Sequence, residues 1–187
     1  MKQDIVTEQR VFDEIKKAIV KSLGVEEESI KPESFLVKDL NAESLDFLDI
    51  NYRLEQTFGF KTARYFILEH MEDMFGEGSA INEDAQLTEK AVEVLKIRFG
   101  DELPDLSPST DMDEVPAIIT VQSVVNTVID ILNSLPEKCP QCGSSTWKSD
   151  DGTHIVCGSC NERAPFKNGD DLIDEWLTKV QEERKIF

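Results

Sequence analysis

The sequence predicts a mainly α-helical protein that carries one small β-ribbon close to its C-terminus. Apolar residues recur at helical spacing in several segments of residues 1–136, which predicts a helical bundle. Four cysteines lie within 139–160, in a segment whose turn residues suit a short β-hairpin. Pro136 separates the two parts. We therefore expect a helical domain over 1–136 and a second domain over 137–187 that contains the ribbon and a closing helix.

Capping residues and glycines delimit the predicted helices. The first helix is expected to begin after Thr7 and to end at Gly24, because the apolar residues between them follow helical spacing. Residues 25–43 contain turn-forming residues, which predict a long loop. Further helices are predicted over 44–58, 62–75, 87–99 and 120–135, with one short helical turn near Asp111. The last of these is rich in β-branched residues, so packing must stabilise it more than intrinsic propensity does.

The chain is strongly acidic, with a formal net charge of −18. Residues 1–136 hold 13 Lys and Arg against 28 Asp and Glu, whereas residues 137–187 hold 7 against 10. Phosphate backbones and anionic membranes repel such a surface, so we expect neither nucleic-acid binding nor membrane insertion. Protein partners with basic patches are favoured instead, because complementary electrostatic fields speed encounter.

Neither a signal peptide nor a membrane span is predicted. The N-terminal residues include several acids and no apolar run long enough for a secretory signal. No segment approaches the roughly 20 consecutive apolar residues of a membrane-spanning helix. These observations predict a cytoplasmic protein.

Ser44 stands at the head of the predicted second helix, within the sequence NAESLDFLDI of residues 41–50. A serine in that position can act as an N-cap, because its oxygen accepts from the free backbone N–H groups of a first turn. It can also be a covalent attachment point, since the head of a helix that follows a loop is exposed. The residue and its neighbours leave both interpretations open.

The order of helix, long loop, serine-headed acidic helix and final β-branched helix resembles the acyl carrier protein family. The stretch DLNAESLDFLDINYRLEQTFGF is similar to that family's DLGxDSLDxxELxxxLExxFGI segment. ELPD…ITVQSVVNTVIDIL is similar to the segment that closes the family's bundle, so the likeness covers residues 8–60 and 102–135. The SLDFLDI motif most resembles specialised carriers of the very long acyl chains of lipid A. We therefore expect an acyl-carrier-like helical bundle.

The resemblance implies that Ser44 carries phosphopantetheine, whose thiol holds an acyl group as a thioester. A helix N-terminus also favours the phosphate diester of that group, through free N–H groups and the helix dipole. The resemblance further implies a partner-recognition face, formed by Glu43, Leu45, Asp46, Leu48, Asp49, Tyr52 and Glu55. The expected partners are a phosphopantetheinyl transferase and acyl-activating, acyltransferase or ketosynthase enzymes with basic docking patches. Residues expected to line the core or an acyl tunnel are Phe47, Ile50, Leu54 and Phe58.

Three residues near this helix depart from the family pattern. Glu43 stands where the family usually has aspartate, and Arg53 interrupts the acidity of the helix. Asn41 stands where the family usually has glycine, and asparagine tolerates the left-handed backbone region.

Residues 61–101 form a two-helix insertion where the family normally has a short loop. The pair either pads the core or encloses an enlarged acyl pocket, for which Met71 and Met74 would be adaptable linings. His70 is expected on the helix surface rather than in a catalytic group, because no nearby residue completes a nucleophile–base pair.

The four cysteines have the spacing C-x2-C-x14-C-x2-C and are Cys139, Cys142, Cys157 and Cys160. We expect each pair to form a tight knuckle with Gly143 or Gly158, and strands near 144–149 and 153–157 to join the knuckles. Four thiolates at such spacing indicate a structural zinc site, and the segment resembles a zinc ribbon. Iron is an alternative, since thiolate tetrahedra accept both metals. A redox pair or disulfide is the other alternative, which a cytoplasmic location disfavours.

The ribbon is expected to dock a protein or to stabilise its own chain, since it has few basic residues for nucleic acid. On the closing helix, Leu172, Trp176 and Val180 form an apolar stripe that we expect to pack on the ribbon or the bundle. His154 lies between the cysteine pairs and is expected to be an exposed strand residue.

These expectations describe a shuttle rather than an enzyme, because no catalytic constellation appears in the sequence. The predicted function is to carry an acyl group in specialised lipid or secondary-metabolite biosynthesis. The alternative is an unmodified, carrier-like adaptor whose zinc ribbon docks a partner protein. A nucleic-acid-binding ribbon is a third alternative, which the net charge opposes.

Overall fold

A computed structural model describes residues 4–100 and 106–187. Within these residues the α-helices are α1 Glu8–Leu23, α2 Ser44–Phe58, α3 Ile67–Phe75, α4 Glu89–Phe99, α5 Val121–Leu132 and α6 Gly169–Arg184. Two 3₁₀ segments, Glu27–Ser29 and Met112–Ile118, and two strands, β1 Trp147–Lys148 and β2 Val156–Cys157, complete the elements. The strands pair antiparallel, with Trp147 opposite Cys157. The predicted fold class, mainly helical with one small ribbon, is confirmed.

The chain folds into two compact units, each made of two stretches of sequence. The first unit contains the chain up to Thr62 together with Thr120–Gly169, and the second contains Ala63–Ile119 together with Asp170–Phe187. The ribbon therefore belongs to the same unit as α1, α2 and α5, and α6 belongs to the unit of the insertion helices. This grouping differs from the division at Pro136 that we expected from the sequence, because compactness depends on packing rather than on order along the chain.

In the first unit, α1 packs against both α2 and α5. Thr7 caps α1 by accepting a hydrogen bond from the Arg10 N–H, and Gly24 ends it in the left-handed conformation. Both ends agree with the sequence prediction. The side chains buried by these three helices include Val11, Ile15, Ile19, Ile50, Leu54, Phe58, Val121, Val125, Val128 and Leu132.

The loop between α1 and α2 sets the position of the second helix. Its Ser34 carbonyl accepts from the Val121 N–H at 2.9 Å, which ties the loop to the start of α5. Leu36 and Leu40 are buried beneath it. Asn41 has a φ of 56°, the left-handed conformation that an asparagine tolerates in place of glycine. This turn delivers the chain to the head of α2.

The second unit has a hydrophobic core of its own, formed by α3, α4, the 3₁₀ segment Met112–Ile118 and α6. Its buried residues are Ile67, Leu68, Met71, Ala80, Leu87, Ala91, Val92, Val94, Leu95, Leu106, Val115, Ile118 and Leu177. The Phe75 and Phe187 rings stack with their centroids 3.9 Å apart. The insertion helices thus bury their apolar faces against each other and against α6. Enclosure of an acyl pocket by this pair stays a prediction.

Helix α3 begins at Ile67, five residues later than predicted. The backbone N–H groups of Arg64 and Tyr65 donate instead to the Asp170 carboxylate, at 2.9 and 3.3 Å. The Phe66 N–H donates to Glu69 at 2.6 Å, which starts the helix there. A carboxylate from a distant part of the chain therefore binds the backbone just before α3 and holds it outside the helix.

His70 is buried, so its expected surface position is wrong. Its Nδ1 lies 2.7 Å from a carboxylate oxygen of Asp174, and its Nε2 lies 3.3 Å from one of Asp170. Both aspartates lie on α6, which the sequence alone did not place beside α3. Leu177, outside the stripe predicted for α6, is also fully buried in this core.

The described residues include no helix with the length and apolar character needed to cross a membrane. The cytoplasmic location stays a prediction. The ELPD motif used in the family resemblance spans 102–105 and lies outside the described residues.

Candidate functional site: the head of helix α2 and the four-cysteine ribbon

Ser44 is the first residue of α2, and Glu43 occupies the N-cap position. The Glu43 N–H donates to the Asp46 carboxylate at 2.8 Å, which closes the first turn from the N-terminal side. Interpretation of Ser44 as the N-cap is therefore wrong by one residue. The side chain of Ser44 is exposed, and its hydroxyl makes no hydrogen bond with the part of the chain that the structure describes.

The position of Ser44 suits a phosphorylated group chemically. The N–H groups of a first helical turn point outward and carry the positive end of the helix dipole. A phosphate diester on the Ser44 oxygen would sit at that end, where negative charge is stabilised. The hydroxyl is free to be modified because no cap or core contact uses it.

Helix α2 turns three large apolar side chains to solvent. Leu45, Leu48 and Tyr52 are 77%, 64% and 60% exposed. They follow one another at i, i+3 and i+7, so they share one face of the helix. The opposite face is buried, as predicted, through Ile50, Leu54 and Phe58. Phe47 is half-buried.

The acidic residue in the middle of α2 is paired within the chain. The Asp49 carboxylate accepts from the Ser22 hydroxyl at 2.7 Å and from the Arg53 Nε at 2.8 Å. These two hydrogen bonds hold the pKa of Asp49 below its usual value. Arg53, the departure from the family pattern, therefore offsets the charge of its neighbour on the same helix.

The acidic residue near the end of α2 is also paired within the chain. The Glu55 carboxylate accepts from the Lys61 ammonium at 2.7 Å and from the Thr62 N–H and hydroxyl, each at 3.0 Å. Burial raises the pKa of Glu55, but these hydrogen bonds outweigh it and hold the pKa below its usual value. Glu43 and Asp46 are different, because the described residues place no lysine or arginine within ion-pair distance of either carboxylate.

The sulfurs of the four cysteines lie close together, as their spacing predicts. All four sulfurs lie within 4.8 Å of one another. Cys139 Sγ and Cys160 Sγ are 3.7 Å apart, and Cys142 Sγ and Cys157 Sγ are 3.5 Å apart. A zinc ion with four Zn–S bonds of about 2.3 Å requires sulfurs separated by about 3.8 Å, so the cluster has the right size for a tetrahedral metal.

The two knuckles have the same backbone pattern. In the first, the Gly143 N–H donates to the Cys139 carbonyl at 2.8 Å. In the second, the Asn161 N–H donates to the Cys157 carbonyl at 3.0 Å. Gly143 and Asn161 have φ values of 74° and 59°, so both occupy the left-handed region.

Asn161, rather than Gly158, therefore takes the special conformation in the second knuckle. Gly158 instead leaves room for the Thr146 side chain, because a Cβ at this residue would lie 2.8 Å from it. Asn161 was not among the residues predicted for the knuckles, although an asparagine directly after a C-x-x-C pair could have indicated it.

The surroundings shift the pKa values of individual sulfurs in opposite directions. N–H groups of Cys160 and Ser159 hold the pKa of Cys157 at about 6. The Glu162 N–H lowers the pKa of Cys160, but burial and the neighbouring sulfurs outweigh it and raise that pKa to about 12. Thiolates so close together repel one another, and a divalent cation between them removes that repulsion.

The ribbon packs on the helices of the first unit at several points. The Trp147 indole N–H donates to the Pro136 carbonyl at 2.8 Å, and the Arg10 guanidinium donates to the Asp151 carbonyl at 3.2 Å. The Phe166 ring meets the Phe60 ring edge-on, at 6.4 Å between centroids. His154 is exposed, as expected, but it lies outside the strands, and its ring is 3.4 Å from where a Cβ on Gly59 would lie.

Curated proteins similar to this chain include several acyl carrier proteins. The chain is 45% identical over 53 residues to the acyl carrier protein of Coprothermobacter proteolyticus, which is 28% of this chain and 65% of that protein. It is 36% identical over 73 residues to acyl carrier protein AcpXL of Rhizobium meliloti, covering 39% of this chain and 73% of the relative. It is 42% identical over 48 residues to the acyl carrier protein of Campylobacter lari, covering 26% and 62%.

The match thus spans slightly less than two thirds of the Coprothermobacter and Campylobacter proteins. No family model matches the chain. No solved structure matches it either.

Proposed function

Because the chain belongs to the acyl carrier protein family, we propose that it holds an acyl group as a thioester on a phosphopantetheine arm attached to Ser44. A carrier presents its cargo to other proteins, so this chain is not itself an enzyme. When bound, the arm supplies the thiol that forms the thioester. We place the carrier in specialised lipid or secondary-metabolite biosynthesis, a proposal supported by the resemblance of the SLDFLDI motif to specialised carriers.

The observation that carries this proposal is the exposure of Ser44 at the head of α2. Glu43 provides the N-cap, so the Ser44 hydroxyl is free for attachment. The first turn of α2 would stabilise the phosphate diester through its N–H groups and dipole. The buried face of α2 anchors the helix, which keeps the attachment point in a defined position.

We propose that the proteins visiting Ser44 dock on the face of α2 beside it. They would be a phosphopantetheinyl transferase and acyl-activating, acyltransferase or ketosynthase enzymes. The exposed Leu45, Leu48 and Tyr52 support this assignment, because apolar side chains at such exposure are typical of contact surfaces.

We also propose that Cys139, Cys142, Cys157 and Cys160 hold one zinc ion. The support is the size of the sulfur cluster and the two matching knuckles, which suit a structural tetrahedral site. Iron would fit the same four sulfurs, and metal analysis of protein prepared from its own host distinguishes the two.

The test of the carrier function compares wild type with Ser44→Ala. Wild type incubated with coenzyme A and the phosphopantetheinyl transferase of its own host should gain the mass of one arm, read by intact mass spectrometry. The alanine variant should gain none. Its helical circular dichroism should match that of wild type, because Ser44 makes no cap or core contact in the described structure. A wild-type chain that stays unmodified, or an arm on another residue, would overturn the proposal and favour the adaptor alternative.

A further inference from the structure

We propose that partner proteins bind α2 chiefly through apolar contacts. The binding surface of such a partner is a groove whose basic residues lie only at the end that contacts the surroundings of Ser44. This inference rests on the proposed carrier function and specifies the partner. It differs from the acidic recognition face expected from the sequence, in which Asp49 and Glu55 contact basic partner residues.

Two acidic residues of α2 are already paired within the chain. Asp49 is bonded to Arg53 and Ser22, and Glu55 is bonded to Lys61 and Thr62. A partner cation that approached either carboxylate would have to displace these groups or share the oxygen with them. Each acid therefore offers a partner little net attraction. Arg53 lies on α2 itself and holds Asp49 in an ion pair at 2.8 Å.

Leu45, Leu48 and Tyr52 form one exposed apolar stripe on α2. It extends over two turns from the residue next to Ser44. An enzyme that reaches a group on Ser44 must come close to this stripe. Complete burial of a leucine side chain contributes more binding free energy than a typical exposed ion pair does.

Among the described residues, the acidic side chains without a cation partner on this helix lie around its N-terminal end. Glu43 and Asp46, on either side of Ser44, have no cation partner among the described residues. The rest of the face is neutralised by Arg53 and Lys61. The matching surface is therefore a groove that is basic at one end and apolar beyond it.

The test measures kcat/KM for arm attachment to Ser44 by the host transferase, at low and at high salt. Leu48→Ala/Tyr52→Ala should lower kcat/KM about tenfold or more at both salt concentrations, since apolar contact is not screened. Asp49→Asn and Glu55→Gln should each stay within about twofold of wild type at both. Glu43→Gln/Asp46→Asn should remove most of the salt dependence that wild type shows.

Arg53→Gln provides a gain-of-function variant for the same test. It frees the Asp49 charge, so the fall in kcat/KM between low and high salt should become steeper than in wild type. The matched control is Tyr65→Ala, which removes an exposed tyrosine that is not on α2 and should leave kcat/KM unchanged. Circular dichroism should show the same helix content for all variants, because none of the substituted residues belongs to the buried core.

Two results would overturn the inference while leaving the carrier function intact. One is a loss in Asp49→Asn or Glu55→Gln as large as that in the double alanine variant. The other is a double alanine variant as active as wild type. Failure of wild type to accept the arm is a separate result, because it leaves no rate to compare. That result would overturn the proposed function and this inference together.

Discussion

At the scale of single residues, the second cysteine knuckle depends on the backbone freedom of Asn161. Its φ of 59° places it in the left-handed region, where Gly143 stands in the first knuckle. Asparagine and glycine enter that region readily, whereas a β-branched residue there is strained by about 1–2 kcal/mol. The four sulfurs can converge only if both knuckles keep this turn.

We expect Asn161→Val to weaken zinc binding about tenfold, because the strain must be overcome each time the knuckle closes on the metal. Asn161→Gly should bind zinc as tightly as wild type to within a few-fold. Competition with a chromophoric chelator measures both. Gln141→Val places the same side chain in the first knuckle at a residue outside the left-handed region, and should have little effect. Equal affinities for the valine and glycine variants at residue 161 would contradict this account.

At the scale of secondary-structure elements, α6 completes the core of the second unit. Leu177 is fully buried there, and Phe187 beyond the helix stacks on Phe75 of α3. The Asp170 carboxylate of α6 accepts from the Arg64 N–H just before α3, and the Asp174 carboxylate lies beside the His70 ring. The insertion helices are therefore stabilised by an element that lies at the far end of the chain.

Leu177→Ala should destabilise the second unit by about 2–5 kcal/mol, the range for removal of a fully buried leucine side chain. Urea denaturation, followed by hydrogen exchange in α3 and α4, measures the effect. Lys179→Ala on the same helix is the control, because its exposed ion pair with Glu183 contributes about 1 kcal/mol or less. If both variants unfolded at the same urea concentration, α6 would not have the role that the structure gives it.

At the scale of the whole molecule, the four-cysteine ribbon and helices α1, α2 and α5 form one compact unit. Arg10 of α1 bonds to the Asp151 carbonyl, and Trp147 bonds to the Pro136 carbonyl just after α5. A metal that binds only the folded ribbon stabilises whatever folds together with it. Zinc should therefore influence these three helices as well as the ribbon.

We expect a chelator to lower the melting temperature of the helical circular dichroism signal, and to speed hydrogen exchange in α1, α2 and α5. A variant with serine at all four cysteine positions should show the lower stability from the start and no further response to chelator. Unchanged exchange in these three helices after metal removal would show that the ribbon and the helices fold independently.

Local signals in the sequence determined most of the secondary structure and both candidate sites. Thr7 and Gly24 delimit α1, and Gly59 ends α2, because caps and left-handed residues act within a few positions of themselves. The cysteine spacing alone indicated the metal cluster. Ser44 was identifiable from its place between a loop and an amphipathic helix, and from the family resemblance of the residues around it.

Tertiary structure alone decided which elements share a core and which charges remain free. His70 meets Asp174 across 104 residues of sequence, and Ser22 meets Asp49 across 27. Hydrophobic periodicity shows that a helix has an apolar face, but it does not say which other face covers it. Arg53 lies at i+4 from Asp49 on α2, so the sequence already offered that ion pair. Only the fold brings the Ser22 hydroxyl to the same carboxylate, as it brings Asp174 to His70. These pairings depend on the path of the chain in space, which no local pattern specifies.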